Sequence, residues 1–318
     1  MKFVLEYIWI DAKGGLRGKT KIEEHGKAPQ LHECGEWNVN LTVGSFVSEV
    51  ILKPVSMIKD PFRGGSSQIV LCEVWSDDTA PHPSNTRWKA LSIFNKDKRS
   101  KPNFDLNQEF FFSKNGKPIS YEDNVKEGDC FCGIGSVYGR RCIEVVLKRC
   151  LWAELNVMGV NAEVAPSQWK LKICAGGIRA ADELYFVRYI LGRTAEEYGW
   201  QLDLRPKTLN WRSKCSVIFS TIEMRAPEGI SHIHKAIEQL EKKHDLHAKW
   251  YGDEILTEQY DAFAAGASYK GSIRLPTKVI ENQCGHFEDL RPPSNIDPYA
   301  VTSLLFATSC NIEQTFFV

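Results

Sequence analysis

The sequence predicts an α+β fold in which a small N-terminal β domain precedes a larger domain, whose antiparallel sheet carries helices on one side. Roughly the first hundred residues consist mainly of strand and turn patterns, whereas strand and helix patterns are mixed in the rest of the chain. These mixed patterns lack the regular alternation of strand and helix that a parallel sheet requires. With 318 residues, of which 43% are hydrophobic, the chain is long enough for both domains to have a core.

Aromatic and β-branched runs predict the strands of the N-terminal domain. The run over residues 3–10 ends at a Gly-Gly pair, and residues 18–22 are expected to return beside it. The segment 60–65 has a turn composition and precedes a second apolar run at 69–75. A short helix is expected near residues 87–94.

We expect the domain boundary at residues 95–104, so that the β domain spans 1–95 and the larger domain spans 104–318. Within the larger domain, the periodicity of apolar residues changes between two and 3.6. It predicts strands at 106–112, 161–164 and 168–173, and long amphipathic helices at 138–157 and 179–198.

Two further helices are predicted near the C-terminus. One covers residues 230–247, and the other begins with Asp297 as its cap and Pro298 in its first turn. The apolar stripe of the first consists of Ile230, Ile233, Ile237 and Leu240. Four histidines without metal-site spacing are expected to lie on the surface of that same helix: His232, His234, His244 and His247.

Charge and hydropathy exclude several classes of partner. Forty basic residues balance forty acidic residues, so the chain lacks the positive field that nucleic acids or anionic membranes require. The N-terminus has no signal-peptide pattern and no long apolar run follows, which predicts a cytoplasmic protein. The ten cysteines are scattered, and we expect them to be reduced.

Several segments, taken in order, resemble the eukaryote-type (type II) glutamine synthetases. They are Tyr-Ile-Trp-Ile-Asp at 7–11, Lys-Asp-Pro-Phe-Arg at 59–63, Asn-Ala-Glu-Val-Ala-Pro-Ser-Gln-Trp at 161–169, Ser-Ile-Arg-Leu-Pro at 272–276 and Phe-Glu-Asp-Leu-Arg-Pro at 287–292. Their order and spacing match the family from about residue 5 to 310.

The resemblance implies a small β-grasp domain joined to a larger catalytic-type domain, whose curved antiparallel sheet with flanking helices forms a funnel. It also implies a homo-oligomeric ring, such as a decamer, with each site between neighbouring subunits. In this family ATP phosphorylates the γ-carboxylate of glutamate and ammonia displaces the phosphate. Divalent Mg or Mn neutralises the charge of the two anionic reactants.

The positions that the resemblance assigns to metal binding are only partly retained. Asn107 replaces a carboxylate on the first strand of the larger domain, and Lys170 replaces one on a neighbouring strand. Ser216 replaces the metal-binding histidine. Lys170 is expected either to leave the site empty or to fill it as an internal cation beside Glu163 and Glu109. The retained carboxylates at metal positions are Glu109, Glu163 and Glu288.

Other catalytic positions are also substituted. Asn40 stands where the resemblance implies the ammonium-binding aspartate, and it is expected to be a turn residue. The flap that should follow Thr257 is shortened, which leaves Glu258 as a weak substitute for its glutamate. Leu290 replaces an arginine that should hold the transferred phosphoryl group.

The remaining implied residues bind nucleotide or glutamate. Arg274 and Ser220 are retained at the nucleotide and phosphate positions, and Lys270 replaces an arginine there. Asn210 and Trp211 resemble part of the glutamate pocket, but the loop after them departs from the small residues of the family.

These substitutions favour a glutamine synthetase-like pseudoenzyme that acts as a structural or regulatory ring subunit, alone or mixed with an active glutamine synthetase, and has no certain cofactor. The alternative is an active ATP-dependent glutamate–ammonia ligase, or a related carboxylate–amine ligase, with a reduced metal set that still binds ATP or ADP with Mg or Mn. A third hypothesis is a sensor in which Lys170 and Lys172 receive an anionic metabolite.

Overall fold

A computed structural model describes residues 1–43, 46–119, 134–135, 137–208, 211–252, 263–268 and 271–317. The N-terminal part forms a five-stranded sheet in the order β2-β1-β5-β4-β3. The central strands β1 and β5 are parallel and the other pairs are antiparallel, as expected for the β-grasp sheet. The strands are β1 (Lys2–Ile10), β2 (Leu16–Glu24), β3 (Trp37–Val43), β4 (Phe46–Lys59) and β5 (Gln68–Trp75), with a 3₁₀ turn at Leu31–Glu33.

The rest of the chain forms a curled, mainly antiparallel sheet of nine strands among the described residues. Its main path has the order β14-β15-β16-β13-β6-β9-β8, and β7 and β10 also pair with β6. These strands are β6 (Asn103–Lys114), β7 (Lys117–Pro118), β8 (Val157–Ala162), β9 (Gln168–Gly176), β10 (Gln201–Asp203), β13 (Cys215–Ser220), β14 (Ala265–Gly266), β15 (Ile273–Arg274) and β16 (Phe287–Asp289). A separate hairpin consists of β11 (Lys207–Thr208) and β12 (Trp211–Arg212).

Helices pack beside and between the two sheets. They are α1 (Thr86–Phe94), α2 (Arg140–Trp152), α3 (Arg179–Glu197), α4 (Ile222–Arg225), α5 (Ile230–Lys242), α6 (His244–Tyr251), α7 (Thr277–Asn282) and α8 (Pro298–Ser309). The predicted start of α8 is confirmed, because the Asp297 side chain accepts hydrogen bonds from the amides of Tyr299 and Ala300. The predicted helix at 179–198 is confirmed as α3 and is followed by Gly199 with a φ of +69°.

The prediction of one helix over residues 230–247 was wrong. The helix α5 ends at Lys242, the backbone of Lys243 leaves the helical region, and α6 begins at His244. On α6, His247 is completely buried, while His232 and His234 are exposed on α5. The helix predicted at 138–157 is also shorter than expected, because α2 ends at Trp152 and the chain already enters β8 at Val157.

One apolar cluster joins the two sheets. Ile8, Ile69 and Leu71 of the first sheet belong to the same buried cluster as Phe104, Leu106 and most of α3 and α8. A second, smaller cluster lies on the opposite face of the first sheet and includes Tyr7 and Leu52. The division into domains at residues 95–104 stays a prediction.

Candidate functional site

Strands β6, β9, β13 and β16 bring most of the described candidate residues onto one face of the second sheet. Asn107 lies opposite Lys172 on β9 and opposite Ser216 on β13. Glu109 lies opposite Lys170, two residues further along the same pair of strands. Side chains two residues apart on a strand point to the same face, so the register sets this arrangement.

Three of these side chains form a closed hydrogen-bonded group in the middle of the face. The Ser216 hydroxyl donates to Glu288 Oε1 at 2.7 Å, and Asn107 Nδ2 donates to Ser216 Oγ at 3.1 Å. Asn107 Nδ2 also lies 3.4 Å from Glu288 Oε1, and all three residues are buried. The other carboxylate oxygen of Glu288 accepts from Arg274 Nη1 at 3.1 Å. Both oxygens of Glu288 therefore already have protein partners.

Beside this group on the same face, the ammonium group of Lys170 forms an ion pair with Glu163. Lys170 Nζ lies 2.5 Å from Glu163 Oε1, which also accepts from Asn161 Nδ2 at 2.8 Å. Burial alone would lower the pKa of Lys170, but the bond to Glu163 and the charges of Glu163, Glu109 and Glu288 raise it. Lys170 is therefore a cation beside these carboxylates.

Glu109 is the most strongly perturbed carboxyl group of the site. Its pKa is raised to about 7, chiefly by burial and also by the charge of Glu163, although Lys214 and Lys170 act in the opposite direction. Its Oε2 accepts a hydrogen bond from the backbone amide of Lys214 at 3.0 Å. The buried carboxyl group thus exchanges its proton near neutral pH.

Sequence reasoning missed two residues of this face. Asp105, two positions before Asn107, pairs with Lys172 at 2.7 Å. His286 directly precedes β16. Burial lowers its pKa, the negative charge of Asp105 raises it, and the positive charge of Lys172 lowers it. Asp105 could have been found from the two-residue period of β6, which puts residues 105, 107 and 109 on one face. Lys170 and Lys172 both have carboxylate partners, so neither is free to receive an anionic metabolite as the sensor hypothesis requires.

The described residues of this face do not fit a divalent metal. They include no group of three or more His, Cys, Asp or Glu side chains that could hold such an ion. Ser216 and Asn107 offer neutral groups already bonded to Glu288, and Lys170 contributes a positive charge. Mg and Mn require several oxygen ligands of net negative charge.

Other predicted residues lie elsewhere or outside the described residues. Asn40 is in the middle of β3 opposite Glu49, so its assignment to a turn was wrong. Buried Val39 and Leu41 alternate with it, which turns the Asn40 side chain to solvent. Leu290 is buried in the large apolar cluster. Asn210, Glu258 and Lys270 lie outside the described residues.

Two retained positions have structural partners. Ser220 is buried at the end of β13, and its hydroxyl accepts a hydrogen bond from Arg225 Nη1 at 2.8 Å. Trp211 is half-buried in the β11–β12 hairpin, where it lies opposite Thr208.

A buried network of hydrogen bonds and one ion pair lies next to the site and fixes the strand β16. Asp289, next to Glu288, forms a two-point ion pair with Arg291, with distances of 2.9 and 2.7 Å. The Tyr251 hydroxyl donates to Asp289 Oδ2 at 3.0 Å and lies 2.7 Å from His247 Nδ1. These contacts connect α6 to β16 and hold the strand that carries Glu288.

The fold and the sequence agree on the family. No family model matches the chain. The glutamine synthetase of Kluyveromyces lactis is 38% identical over 334 residues, which cover 96% of this chain and 88% of that relative. Those of Saccharomyces cerevisiae and Agaricus bisporus are each 37% identical, over 340 and 333 residues, covering 97% of this chain and 90% and 93% of the relatives. The chain therefore belongs to the glutamine synthetase family.

Two solved structures share the fold. The GmaS/ADP complex in conformation 1 has a TM-score of 0.75 and 15% identity, and the match covers 97% of this chain and 78% of that one. GmaS without ligand has a TM-score of 0.74 at 15% identity, with 97% and 77% covered. Among the described residues, no helix has the length and apolar character needed to cross a membrane.

Proposed function

We propose that this chain is a glutamine synthetase family member that does not catalyse the metal-dependent ligase reaction, and that it serves as a structural or regulatory subunit. The observation that carries the proposal is the ion pair of Lys170 with Glu163. A unit positive charge about 4 Å from a divalent cation costs about 2 kcal/mol in water and about 8 kcal/mol at an effective dielectric near 20. An ammonium group in this place therefore opposes metal binding.

The hydrogen bonds of Glu288 support the same proposal. Its two oxygens are bonded to Ser216, Asn107 and Arg274, so a metal would compete with these partners for the carboxylate. Transfer of a phosphoryl group from ATP to a carboxylate brings two anions together, and it needs charge neutralisation that these residues do not supply.

The test combines calorimetric titration with an activity assay on the purified full chain. ATP is titrated in the presence of Mg or Mn, and glutamine formation is measured in the same buffer, with the Saccharomyces cerevisiae relative as the active reference. We expect neither metal-dependent nucleotide binding nor glutamine above background. Turnover by this chain would refute the proposal.

The second candidate function is an ATP-dependent glutamate–ammonia ligase, or a related carboxylate–amine ligase, that works with fewer metals and binds ATP or ADP. It is favoured by the glutamine synthetase names of relatives at 36 to 38% identity over nearly the whole chain. The retained Arg274–Glu288 pair is compatible with it. Metal-dependent turnover in the same assay would select this candidate.

The subunit role has its own test. Ring-forming families can mix subunits, because each interface is built from the same surfaces on every copy. We propose a homo-oligomeric ring, such as a decamer, or a mixed ring with an active glutamine synthetase. Light scattering after size-exclusion chromatography should give the mass of a multimer. A monomer that also does not associate with the active relative when the two are mixed would argue against this role. A cytoplasmic location stays a prediction.

A further inference from the structure

A cavity of about 630 Å³ lies outside the candidate site, where the chain passes from the first sheet to the second. Its apolar lining comes from Leu91 and Phe94 of α1 together with Pro102 and Ile178. None of the residues that form the Glu288 and Lys170 contacts lines it. The volume lies within the range of about 300 to 1,000 Å³ that small-molecule sites occupy.

Positive side chains surround this apolar lining. Four cationic residues line the cavity: Lys98, Lys101, Arg179 and Arg225. Arg179 pairs with Glu183, whereas the other three form no ion pair with a carboxylate among the described residues. The guanidinium of Arg225 is held in place by the Ser220 hydroxyl at 2.8 Å and by the Lys101 carbonyl at 3.0 Å. The cavity lining therefore carries more positive than negative charge.

The carboxylate of Asp97 in the lining offsets only part of this charge. Asp97 Oδ1 accepts hydrogen bonds from the amides of Arg99 and Ser100, and Oδ2 accepts one from the Ser100 hydroxyl. The Asp97 side chain thus stabilises the turn at residues 97–100. By contrast, the described cations of the candidate site are paired: Lys170 with Glu163, Lys172 with Asp105 and Arg274 with Glu288.

We propose that this cavity binds a small organic phosphate monoester, whose apolar or aromatic body packs against Leu91 and Phe94 while its phosphate meets Lys98, Lys101 and Arg225. Three cations match a phosphate dianion better than a singly charged carboxylate.

The position of the cavity suggests what its occupancy would affect. Its lining includes Asn103, the first residue of β6, and Arg225, which is bonded to the last residue of β13. These two strands carry Asn107 and Ser216 of the candidate site. A bound phosphate ester would therefore contact both strands from outside the site.

Calorimetric titration of the full chain with phenyl phosphate tests the proposal. Inorganic phosphate and phenol, each titrated alone, represent the two halves of the probe. We expect phenyl phosphate to bind at least about tenfold more tightly than either half, and its affinity to fall with added salt. Failure of phenyl phosphate to bind, or equal binding of inorganic phosphate, would overturn the proposed ligand class.

Variants locate the binding. The double substitution Lys98→Ala and Lys101→Ala should weaken phenyl phosphate binding by at least about tenfold. Arg99→Ala removes the same kind of charge from the same exposed segment but outside the lining, and it should change affinity by less than about threefold. Equal losses in both variants would mean general electrostatic attraction and would refute the site.

A cavity-filling variant gives an independent answer if the double variant folds poorly. Asn95 is exposed and lines the cavity just after α1, so Asn95→Trp fills space and keeps every cation. We expect this variant to lose phenyl phosphate binding with an unchanged thermal melting profile in the absence of ligand. Wild-type affinity in Asn95→Trp would refute the cavity as the binding site.

Discussion

The ammonium group of Lys170 lies among the carboxylates of Glu109, Glu163 and Glu288, which the sequence predicts as metal positions. Its bond to Glu163 and the charges of Glu109 and Glu288 keep it protonated. A tethered cation needs no ligand exchange and cannot leave the site. It can therefore maintain the charge balance of this face without any metal, which explains how the carboxylates are retained in the fold.

Reversing the charge at this position should restore cation binding. Lys170→Glu removes the ammonium and adds a third carboxylate beside Glu109 and Glu163, which is the kind of ligand set that Mn prefers. Lys172→Glu makes the same change two residues away, beside Asp105, and serves as the control. We expect Mn binding by electron paramagnetic resonance only in Lys170→Glu. Equally tight binding by the unmodified chain would contradict the tethered-cation interpretation.

Glu109 makes the stability of the protein depend on pH near neutrality. Its pKa is about 7 in the folded state and close to 4.5 when solvated, so the folded state holds the proton more tightly. The resulting contribution to stability is complete below about pH 4.5 and is lost as the pH rises through about 7. Glu109→Gln should remove this dependence, which amounts to at most about 3 kcal/mol. Urea unfolding at pH 5.5 and pH 8 measures this dependence. If the free energy of unfolding of the variant changed with pH as much as that of the unmodified chain, the assignment to Glu109 would be contradicted.

At the scale of elements, the sequence predicted the helices that have local start and stop signals. Asp297 with Pro298, and Gly199 after α3, mark their helix ends correctly. The break at Lys243 has no glycine or proline, because it results from packing of α6 against α8 rather than from a local preference. The register of β6, β9 and β13 likewise depends on long-range pairing, so sequence reasoning reached Asn107 and Lys170 through the family resemblance and missed Asp105.

The buried contacts of His247 couple α6 to α8 and to β16. Its two ring nitrogens lie 2.7 Å from the Tyr251 hydroxyl and 2.9 Å from the Thr308 hydroxyl. Burial, and then the positive charge of Arg291, lowers the pKa of His247 well below its usual value. The folded state therefore requires the neutral ring, and this requirement destabilises the protein as the pH falls below about 6.5, where the unfolded state takes up the proton.

Replacing His247 tests this coupling. His247→Phe leaves two buried hydroxyls with one partner fewer and should lower the free energy of unfolding by about 2 kcal/mol at pH 7. The same substitution should flatten the loss of stability between pH 6.5 and 5. His232→Phe on the exposed face of α5 is the control and should change stability by less than about 0.5 kcal/mol. Similar losses in both variants, measured by urea unfolding, would contradict the role of the network.

At the scale of the whole molecule, a buried ion-pair network connects the first sheet to α3 and α8, and α3 packs against β6 and β9 of the second sheet. Arg87 Nη1 donates to Glu73 on β5 at 2.7 Å, and Arg87 Nε and Nη2 donate to Asp182 on α3 at 2.8 and 2.9 Å. Burial alone would lower the pKa of Arg87, but the bond to Asp182 raises it above its usual value. The Tyr299 hydroxyl of α8 also donates to Asp182. Four elements, α1, β5, α3 and α8, are therefore joined by one network of ion pairs and hydrogen bonds.

Removing the Arg87 guanidinium should weaken the connection between the first sheet and α3, and through α3 the connection to the second sheet. Arg87→Ala leaves Glu73 and Asp182 buried without their cation, and we expect a loss of about 3 to 5 kcal/mol in the free energy of unfolding. Arg179→Ala removes an arginine whose side chain is 64% exposed and pairs only with Glu183 among the described residues, so it should cost less than about 1 kcal/mol. Differential scanning calorimetry should show one main transition for the unmodified chain, because the apolar cluster spans both sheets. A small loss in Arg87→Ala, equal to that of Arg179→Ala, would mean that apolar packing alone holds the sheets together.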